Sequence, residues 1–266
     1  MKYELKKHLH LLFVFAKFSL MSQLEYRANF LAGMLVETSW MLIKLLYVAV
    51  IYRAGINIGM LTPDHILLFV GTYILMTGFY MLFYQNFTSI SDLVREGTLD
   101  MHLVKPVSLQ FLITLRHFDF AFLLPDFIAG IVIIVLGWSR AGLSCDVLSI
   151  AGFIFYLICA NFLTYSLFLI PNLLCFWTIA TRGISDITSA LWDFNNMPQT
   201  IYGKWMQRIG TFLIPIFIIT NFPGLFVMGE LSTSMMLWGM LAPILFFLIG
   251  RLIWKKALKV YSSASS

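Results

Sequence analysis

The sequence has little charge. Asp, Glu, Lys and Arg make up only 12% of its 266 residues, against about 25% in an ordinary soluble domain. Hydrophobic residues make up 60%, where about 45–50% is usual. A soluble fold of this length needs a charged exterior, and here the charges are too few and too clustered to supply one. The composition therefore predicts an integral membrane protein with most of its surface in lipid.

Motifs for several kinds of chemistry are absent. The three cysteines, Cys145, Cys159 and Cys175, show no C-x-x-C or metal-ligand spacing, so we expect neither a disulfide framework nor a redox site. There is no nucleotide-binding P-loop, no H-E-x-x-H and no G-x-S-x-G. The bases flank apolar runs and form no patch interleaved with aromatic residues, which argues against a nucleic-acid partner. We expect a protein that is not an enzyme and binds no cofactor itself.

What the sequence does have is long apolar runs. A helix needs about 20 mostly apolar residues to cross a hydrocarbon core of about 30 Å. Five runs approach this length, at residues 30–52, 66–87, 118–138, 148–170 and 236–253. The sequence therefore predicts an all-α integral membrane protein, folded as one transmembrane domain over residues 1–266.

The segment between the fourth run and the last allows two interpretations. In the first, residues 172–195 form a polar fifth span, and residues 198–230 then form an external hairpin of two short helices broken at prolines. In the second, residues 211–228 form the fifth span and residues 182–208 lie in the cytoplasm. Both interpretations predict six spans.

The distribution of Lys and Arg predicts the orientation, because cytoplasmic loops carry an excess of these residues. With both termini and the loop after the second run in the cytoplasm, twelve bases lie on that side: Lys2, Lys6, Lys7, Lys17, Arg27, Arg95, Lys105, Arg116, Arg251, Lys255, Lys256 and Lys259. Outside are Arg53 and Arg140, joined by Lys204 and Arg208 under the first interpretation only. We expect cytoplasmic termini, and the same count favours the second interpretation.

Residues 1–28 begin with bases, as a signal peptide does. Their apolar run is interrupted by Lys17, however, and has no small-residue cleavage site. We expect a retained amphipathic helix in the interface, with Lys2, Lys6, Lys7 and Lys17 toward lipid headgroups. The alternative is a short first span.

A polar island, SDLVREGTLDMHLVKPVS, interrupts the apolar pattern at residues 91–108. Leu99 and Leu103 are four residues apart and would share one face of a helical turn that Pro106 ends. The island would thus form a mostly charged helix with a small apolar face, held along the membrane and open to a cytoplasmic partner. The alternative is a solvated loop, since charge clusters are usually solvated.

Local signals predict where the island's first helix begins and ends. Ser89 or Ser91 can cap its N-terminus, and Asp92 would then lie in the first turn, where it suits the positive end of the helix dipole. Gly97 supplies a C-terminal stop.

The island also carries a resemblance. REGTLDMHLVKPVS, residues 95–108, resembles the R-x-G-x-L-D-x-x-L-x-K-P-[VI]-[SN] segment of ABC-2 type permeases, the membrane subunits of ATP-driven exporters. The likeness covers most of the chain and includes the basic N-terminal elbow. Pro198, followed some two dozen residues later by NFP at 221–223, resembles the external re-entrant hairpin of that fold. This pairing supports the first interpretation of the fifth span.

The resemblance implies a permease in the inner membrane of a bacterium, with an interfacial elbow helix, six transmembrane helices as in type V exporters, and a re-entrant hairpin between spans five and six. It implies pairing with a second copy or a related permease, and with two separate ATPase subunits that hold ATP and Mg. Residues 89–108 would be the coupling helix. Its candidate contacts with an ATPase are Asp92, Arg95, Glu96, Gly97, Leu99, Asp100, Lys105 and Pro106.

Ionisable residues inside the spans each need a reason, because a charge at mid-bilayer costs at least about 2.5 kcal/mol. Glu37 and Lys44 share a face of the first span but are too far apart for a close ion pair, so each should meet a partner on another helix. A second set, Asp126, Arg182, Asp186 and Asp193, lies in later spans. The alternatives for all six are interhelical packing and a route for substrate.

The apolar residues allow a hypothesis about the passenger. Phe79, Met81, Phe83 and Phe87 are candidates for a soft lining around a lipid-like or drug-like molecule, the alternative being lipid-facing packing. The leading function is thus a permease subunit that exports a hydrophobic substrate. Two alternatives are an integral membrane enzyme that modifies lipids and a membrane anchor without a substrate path.

Overall fold

The computed structural model describes residues 2–55, 57, 61–84, 86–178 and 181–261. Helices dominate this part of the chain. They are α1 (Lys2–Glu25), α2 (Arg27–Ala54), α3 (Pro63–Phe83), α4 (Phe87–Arg95), α5 (Asp100–Leu103), α6 (Leu109–Thr114), α7 (Phe120–Arg140), α8 (Val147–Asn172), α9 (Thr181–Asp193), α10 (Lys204–Arg208), α11 (Ile216–Val227) and α12 (Thr233–Val260).

Helices cover most of each long apolar run, as the sequence predicts. Among the described residues, five helices are long and apolar enough to cross a membrane: α2, α3 with its continuation into α4, α7, α8 and α12. A sixth is reached if the bent pair of helices between residues 204 and 227 counts as one span. The chain is therefore a multi-pass membrane protein.

Neither of the two segments predicted as the fifth span is a single straight helix. Residues 172–195 are divided between the end of α8, a 3₁₀ turn at Leu173–Phe176 and the separate helix α9. With 13 residues, α9 is about 20 Å long, which is less than a 30 Å core. In the other interpretation, Lys204–Leu213 and Ile216–Val227 meet at 100°. Pro215 lies at this bend, where its missing N–H and fixed φ break the helix.

The centre of the bundle is the pair α3 and α7, which pack backbone to backbone. A Cβ atom on Gly137 would lie 2.5 Å from the Leu68 nitrogen, and one on Gly130 would lie 2.7 Å from the Leu75 nitrogen. On the other helix, a Cβ on Gly71 would lie 2.7 Å from the Ile134 nitrogen. Without a hydrophobic drive between helices in lipid, small residues at an interface allow the close contact that holds them together.

Helix α1 lies against the polar segment that precedes α7. Near its start, Lys7 Nζ donates to the Pro106 carbonyl at 2.7 Å. Near its end, Gln23 Nε2 donates to the Phe118 carbonyl at 2.6 Å, and Gln23 Oε1 accepts from the Phe120 amide at 3.1 Å. Both ends of α1 therefore contact the same end of the bundle.

Helices α10 and α11 lie at the opposite end of the bundle. Phe226, at the end of α11, packs against Gly152, near the start of α8, whereas the turn after α8 contacts α4. Trp238, near the start of α12, donates from Nε1 to the Thr211 carbonyl at 2.7 Å. The bent pair of helices is thus attached to the start of α8 at the end of α11 and to the start of α12 near the bend.

Candidate functional site

The polar island forms a connector, α4 and α5 with the turns around them, that is anchored on one side and exposed on the other. The side chains of Phe87 and Ile90 on α4 are buried in the core. Phe87 packs edge-on against Tyr165 of α8, with ring centroids 5.5 Å apart. Just before α4, Tyr84 donates from its hydroxyl to the Asn161 carbonyl of α8 at 2.9 Å. The connector is therefore fixed directly to α8.

The predicted start of the first connector helix is wrong. Helix α4 begins at Phe87, so Asp92 lies in its second half instead of its first turn. The serine hydroxyls do not cap it: Ser89 donates to the Asn86 carbonyl at 2.6 Å and Ser91 to the Thr88 carbonyl at 2.8 Å. The helix starts earlier because Phe87 and Ile90 bury an apolar face, which outweighs a serine cap worth about 1 kcal/mol.

The predicted end of that helix is confirmed, and the leucine face after it is not. Gly97 has a φ of 69°, a left-handed conformation that only glycine adopts at little cost, and it ends α4. Leu99 is fully buried, whereas Leu103 is 47% exposed. The two leucines therefore do not share one outward face, and Leu99 is an anchor that no partner can reach.

An exposed arginine at the end of α4 lies close to two exposed acids. Arg95 Nη2 lies 2.9 Å from an oxygen of Asp92 and 3.7 Å from an oxygen of Glu96. All three side chains are more than half exposed, so the pairs add little stability. They form a surface of two acids around one base.

The second half of the connector continues this surface. Lys105 and Pro106 are exposed, and Asp100 is half-buried. Burial raises the pKa of the Tyr261 hydroxyl, just beyond α12, and the charge of Asp100 raises it further. The exposed apolar residues here are Met101, Leu103 and Val104, of which Val104 is 84% exposed. A partner docked on the connector would meet both charge and apolar surface.

Inside the bundle, two acids and a base from different helices come together. Asp126 of α7 is fully buried and Glu37 of α2 is 3% exposed, and both Glu37 and Lys44 lie close enough to act electrostatically on Asp126. Lys44 Nζ also lies 4.9 Å from the ring centroid of Tyr73 on α3, a cation–π contact. Glu37 and Lys44 thus both lie near groups on other helices.

Comparison with protein families identifies the chain. The family model described as ABC-2 family transporter protein matches residues 38–265. The chain belongs to this ABC-2 family. Neither the curated proteins nor the solved structures provide a match.

Membership of the ABC-2 family makes this protein a permease component of an ABC transporter. The family implies association with ABC ATPases and no ATPase site in the permease itself. Among the described residues, no group of three or more His, Cys, Asp or Glu side chains is placed to hold a metal.

Helix α9 of this ABC-2 permease has one buried and one exposed face. Trp192 is buried and stacks on Tyr80 of α3, with ring centroids 4.3 Å apart. Asp186 and Asp193 are both exposed, and their spacing of seven residues places them on one side of the helix. The side chain of Arg182 lies outside the described residues. Asp186 and Asp193 thus face away from the core of this chain.

The ABC-2 permease also contains polar contacts that the sequence analysis missed. His102 of α5 is buried, with Nδ1 3.2 Å from the Thr98 carbonyl and Nε2 3.1 Å from Arg116 Nη1. Beside it is a cavity of about 320 Å³, also lined by His117 and Asp119. Burial, with the charge of Arg116, lowers the pKa of His117, and burial raises the pKa of Asp119. No local pattern indicates this cavity, because its lining comes from α1, α3, α4, α5, α6 and the segment before α7.

Proposed function

We propose that this chain is the membrane-spanning permease subunit of an ABC exporter in a bacterial inner membrane. It pairs with a second copy or a related permease and with two separate ATPase subunits, which bind ATP and Mg. Its passenger is hydrophobic, lipid-like or drug-like. Each state of the ATPase contacts the connector differently, and that difference in free energy shifts the equilibrium between permease conformations.

The observation that carries this proposal is the construction of the connector. A coupling helix must present a surface to a soluble motor and be attached firmly enough to transmit its movement. The exposed charges Asp92, Arg95 and Glu96 meet the first need, together with Asp100, Lys105 and Pro106. The buried anchors Phe87, Ile90 and Leu99 meet the second, and Gly97 sets the angle between the two turns.

The rest of the fold supports an ABC-2 arrangement. Helix α1, whose two ends contact one end of the bundle, serves as the interfacial elbow within the expected residues 1–28. The pair α10 and α11, bent by 100°, serves as the external re-entrant hairpin within 198–230. Both termini are then cytoplasmic, and α9 rises between connector and hairpin as the broken fifth span.

The exposed acids of α9 have a place in this arrangement. Asp186 and Asp193, with Arg182 on the same helix, would face either the second permease or the route of the passenger. Glu37 and Asp126 are buried within one chain and Lys44 is half-buried beside them, and the role of all three is interhelical packing.

The ATPase rate of the purified complex with its ATPase partner tests the proposal. Glu96→Lys reverses one exposed charge of the connector. We expect it to lower permease-dependent ATP turnover about tenfold, because several charge contacts of about 1 kcal/mol or less are lost or made repulsive at once. Asp100→Lys should act in the same direction.

A matched control is Glu230→Lys, which makes the same change at an exposed residue between α11 and α12, at the other end of the bundle. It should leave turnover unchanged. If Glu96→Lys also binds the ATPase and supports turnover as the unaltered chain does, the connector is a solvated loop and coupling occurs elsewhere.

A further inference from the structure

A large cavity lies at the connector end of the bundle. Its volume is about 570 Å³, within the range of about 300–1,000 Å³ that is usual for small-molecule sites. It lies between α1, the end of α3, α6, the middle of α8 and the end of α12. Its lining is mostly aromatic, with five phenylalanines: Phe79, Phe83, Phe111, Phe162 and Phe247.

One end of the cavity is polar and carries a cation. Arg251 of α12 donates from Nη1 to Gln110 Oε1. Gln110 Nε2 in turn lies 3.0 Å from the Tyr165 hydroxyl, which is 3.2 Å from Thr114 Oγ1. Gln110 is buried, so this chain of hydrogen bonds fixes the guanidinium at the rim of an apolar space.

The charge of Arg251 has no counter-ion in the part of the chain that is described. The ion pairs there involve Arg95 only, and Arg251 donates a single described hydrogen bond, to a neutral amide. A guanidinium has five N–H donors in a planar fork suited to phosphate or carboxylate. A half-buried cation whose described partner is a neutral amide therefore favours an anionic ligand.

The depth of Arg251 places this cation at the membrane surface. It lies eighteen residues after the start of α12 at Thr233, which is about 27 Å along the helix and close to the thickness of the hydrocarbon core. The lining residues Phe162 and Phe247 are 58% and 41% exposed, so the apolar part opens toward the lipid side of the bundle.

We propose that this cavity binds one anionic phospholipid of the leaflet at the connector end, with its phosphate on Arg251 and an acyl chain along the phenylalanines. Anionic headgroups are concentrated in the cytoplasmic leaflet, which is the leaflet at this end in the orientation of the proposed function. The bound lipid would contact α6 and α12 beside the connector, so occupancy of the site can affect coupling.

Native mass spectrometry of the full-length protein in detergent tests this site. The protein is titrated with phosphatidylglycerol or phosphatidylcholine of identical acyl chains. We expect phosphatidylglycerol to bind at one tight site per chain, and Arg251→Gln to weaken that binding at least about tenfold, because a charge-assisted contact is lost. Lys255→Gln, which removes an exposed charge one turn later on the same helix, should bind normally, and Arg251→Lys should retain the preference for phosphatidylglycerol.

Three outcomes would overturn the proposal. They are equal binding of the two lipids by the unaltered chain, displacement of phosphatidylglycerol by millimolar inorganic phosphate, and a dimer whose formation excludes the lipid. The measurement needs no ATPase. A failure here therefore leaves the proposed function intact, and a failure of coupling leaves the lipid site intact.

Discussion

The core pair α3 and α7 and the connector that follows α3 differ in how closely their residues are packed. Between α3 and α7, glycines bring backbones so close that Gly137 has no room for a methyl group. In the connector, Asp92 and Arg95 of α4 are more than half exposed, and their ion pairs within the described residues are with each other and with Glu96. The two regions therefore have different roles. The pair α3 and α7 is rigid because its interface has no room for a larger side chain. The connector can bind and release a partner because its exposed side chains contribute little to the stability of the fold.

The largest effect we predict is a loss of stability when the close packing of α3 against α7 is disturbed. Gly137→Ala places a Cβ 2.5 Å from the Leu68 nitrogen and 2.8 Å from its Cα atom. Because backbone atoms of α3 must move, the free energy of unfolding should fall by more than the roughly 1–3 kcal/mol of ordinary overpacking, by about 5 kcal/mol or more. Thermal unfolding in detergent measures the loss.

A control for this substitution is Gly183→Ala on α9, where an added Cβ meets nothing within 4 Å. Alanine favours a helix over glycine by about 1 kcal/mol, so this variant should be as stable as the unaltered chain or more so. Equal losses at the two glycines would show that the close packing of α3 and α7 does not limit stability.

The next prediction tests whether the connector has a buried anchor and an exposed binding surface. Leu99→Ala removes a fully buried side chain and should lower the free energy of unfolding by about 2–5 kcal/mol. Leu103→Ala, at an exposed position, should change it by no more than about 0.5 kcal/mol while weakening attachment of the ATPase. Unfolding and co-purification of the ATPase distinguish the two roles, and similar stability losses would contradict the division into anchor and surface.

The smallest effect concerns the exposed ion pairs. Arg95→Ala breaks the contacts with Asp92 and Glu96. Because these side chains are solvated, the free energy of unfolding should change by less than about 1 kcal/mol, and less still at high salt. A larger loss of thermal stability would mean that the α4 charges help to hold the fold and are not reserved for a partner.

The sequence analysis was most accurate where the signal was long and local. The apolar runs predicted the helices at 30–52, 118–138, 148–170 and 236–253, because burying some 20 residues in lipid outweighs any local preference. It failed between residues 172 and 230. Each of the two interpretations predicted one continuous spanning helix there, and the structure has several short helices instead. Short helices interrupted by prolines take their course from what they pack against, and that cannot be read from spacing.

The site divides in the same way. Glycine at 97, where φ is positive, and the exposure of Asp92, Arg95 and Glu96 follow from local patterns. The cavity beneath Arg251 does not, because Gln110 is 141 residues away in sequence.

By itself, the sequence determined that this chain lives in a membrane, where its long helices run and which island is polar, because composition and apolar length act residue by residue. Only the tertiary structure decided that Leu99 is an anchor, that Glu37 lies near Asp126, and that Arg251 borders an aromatic cavity with no counter-ion among the described residues. These facts depend on which helices become neighbours. That choice is made by the fit of surfaces such as the glycine faces of α3 and α7.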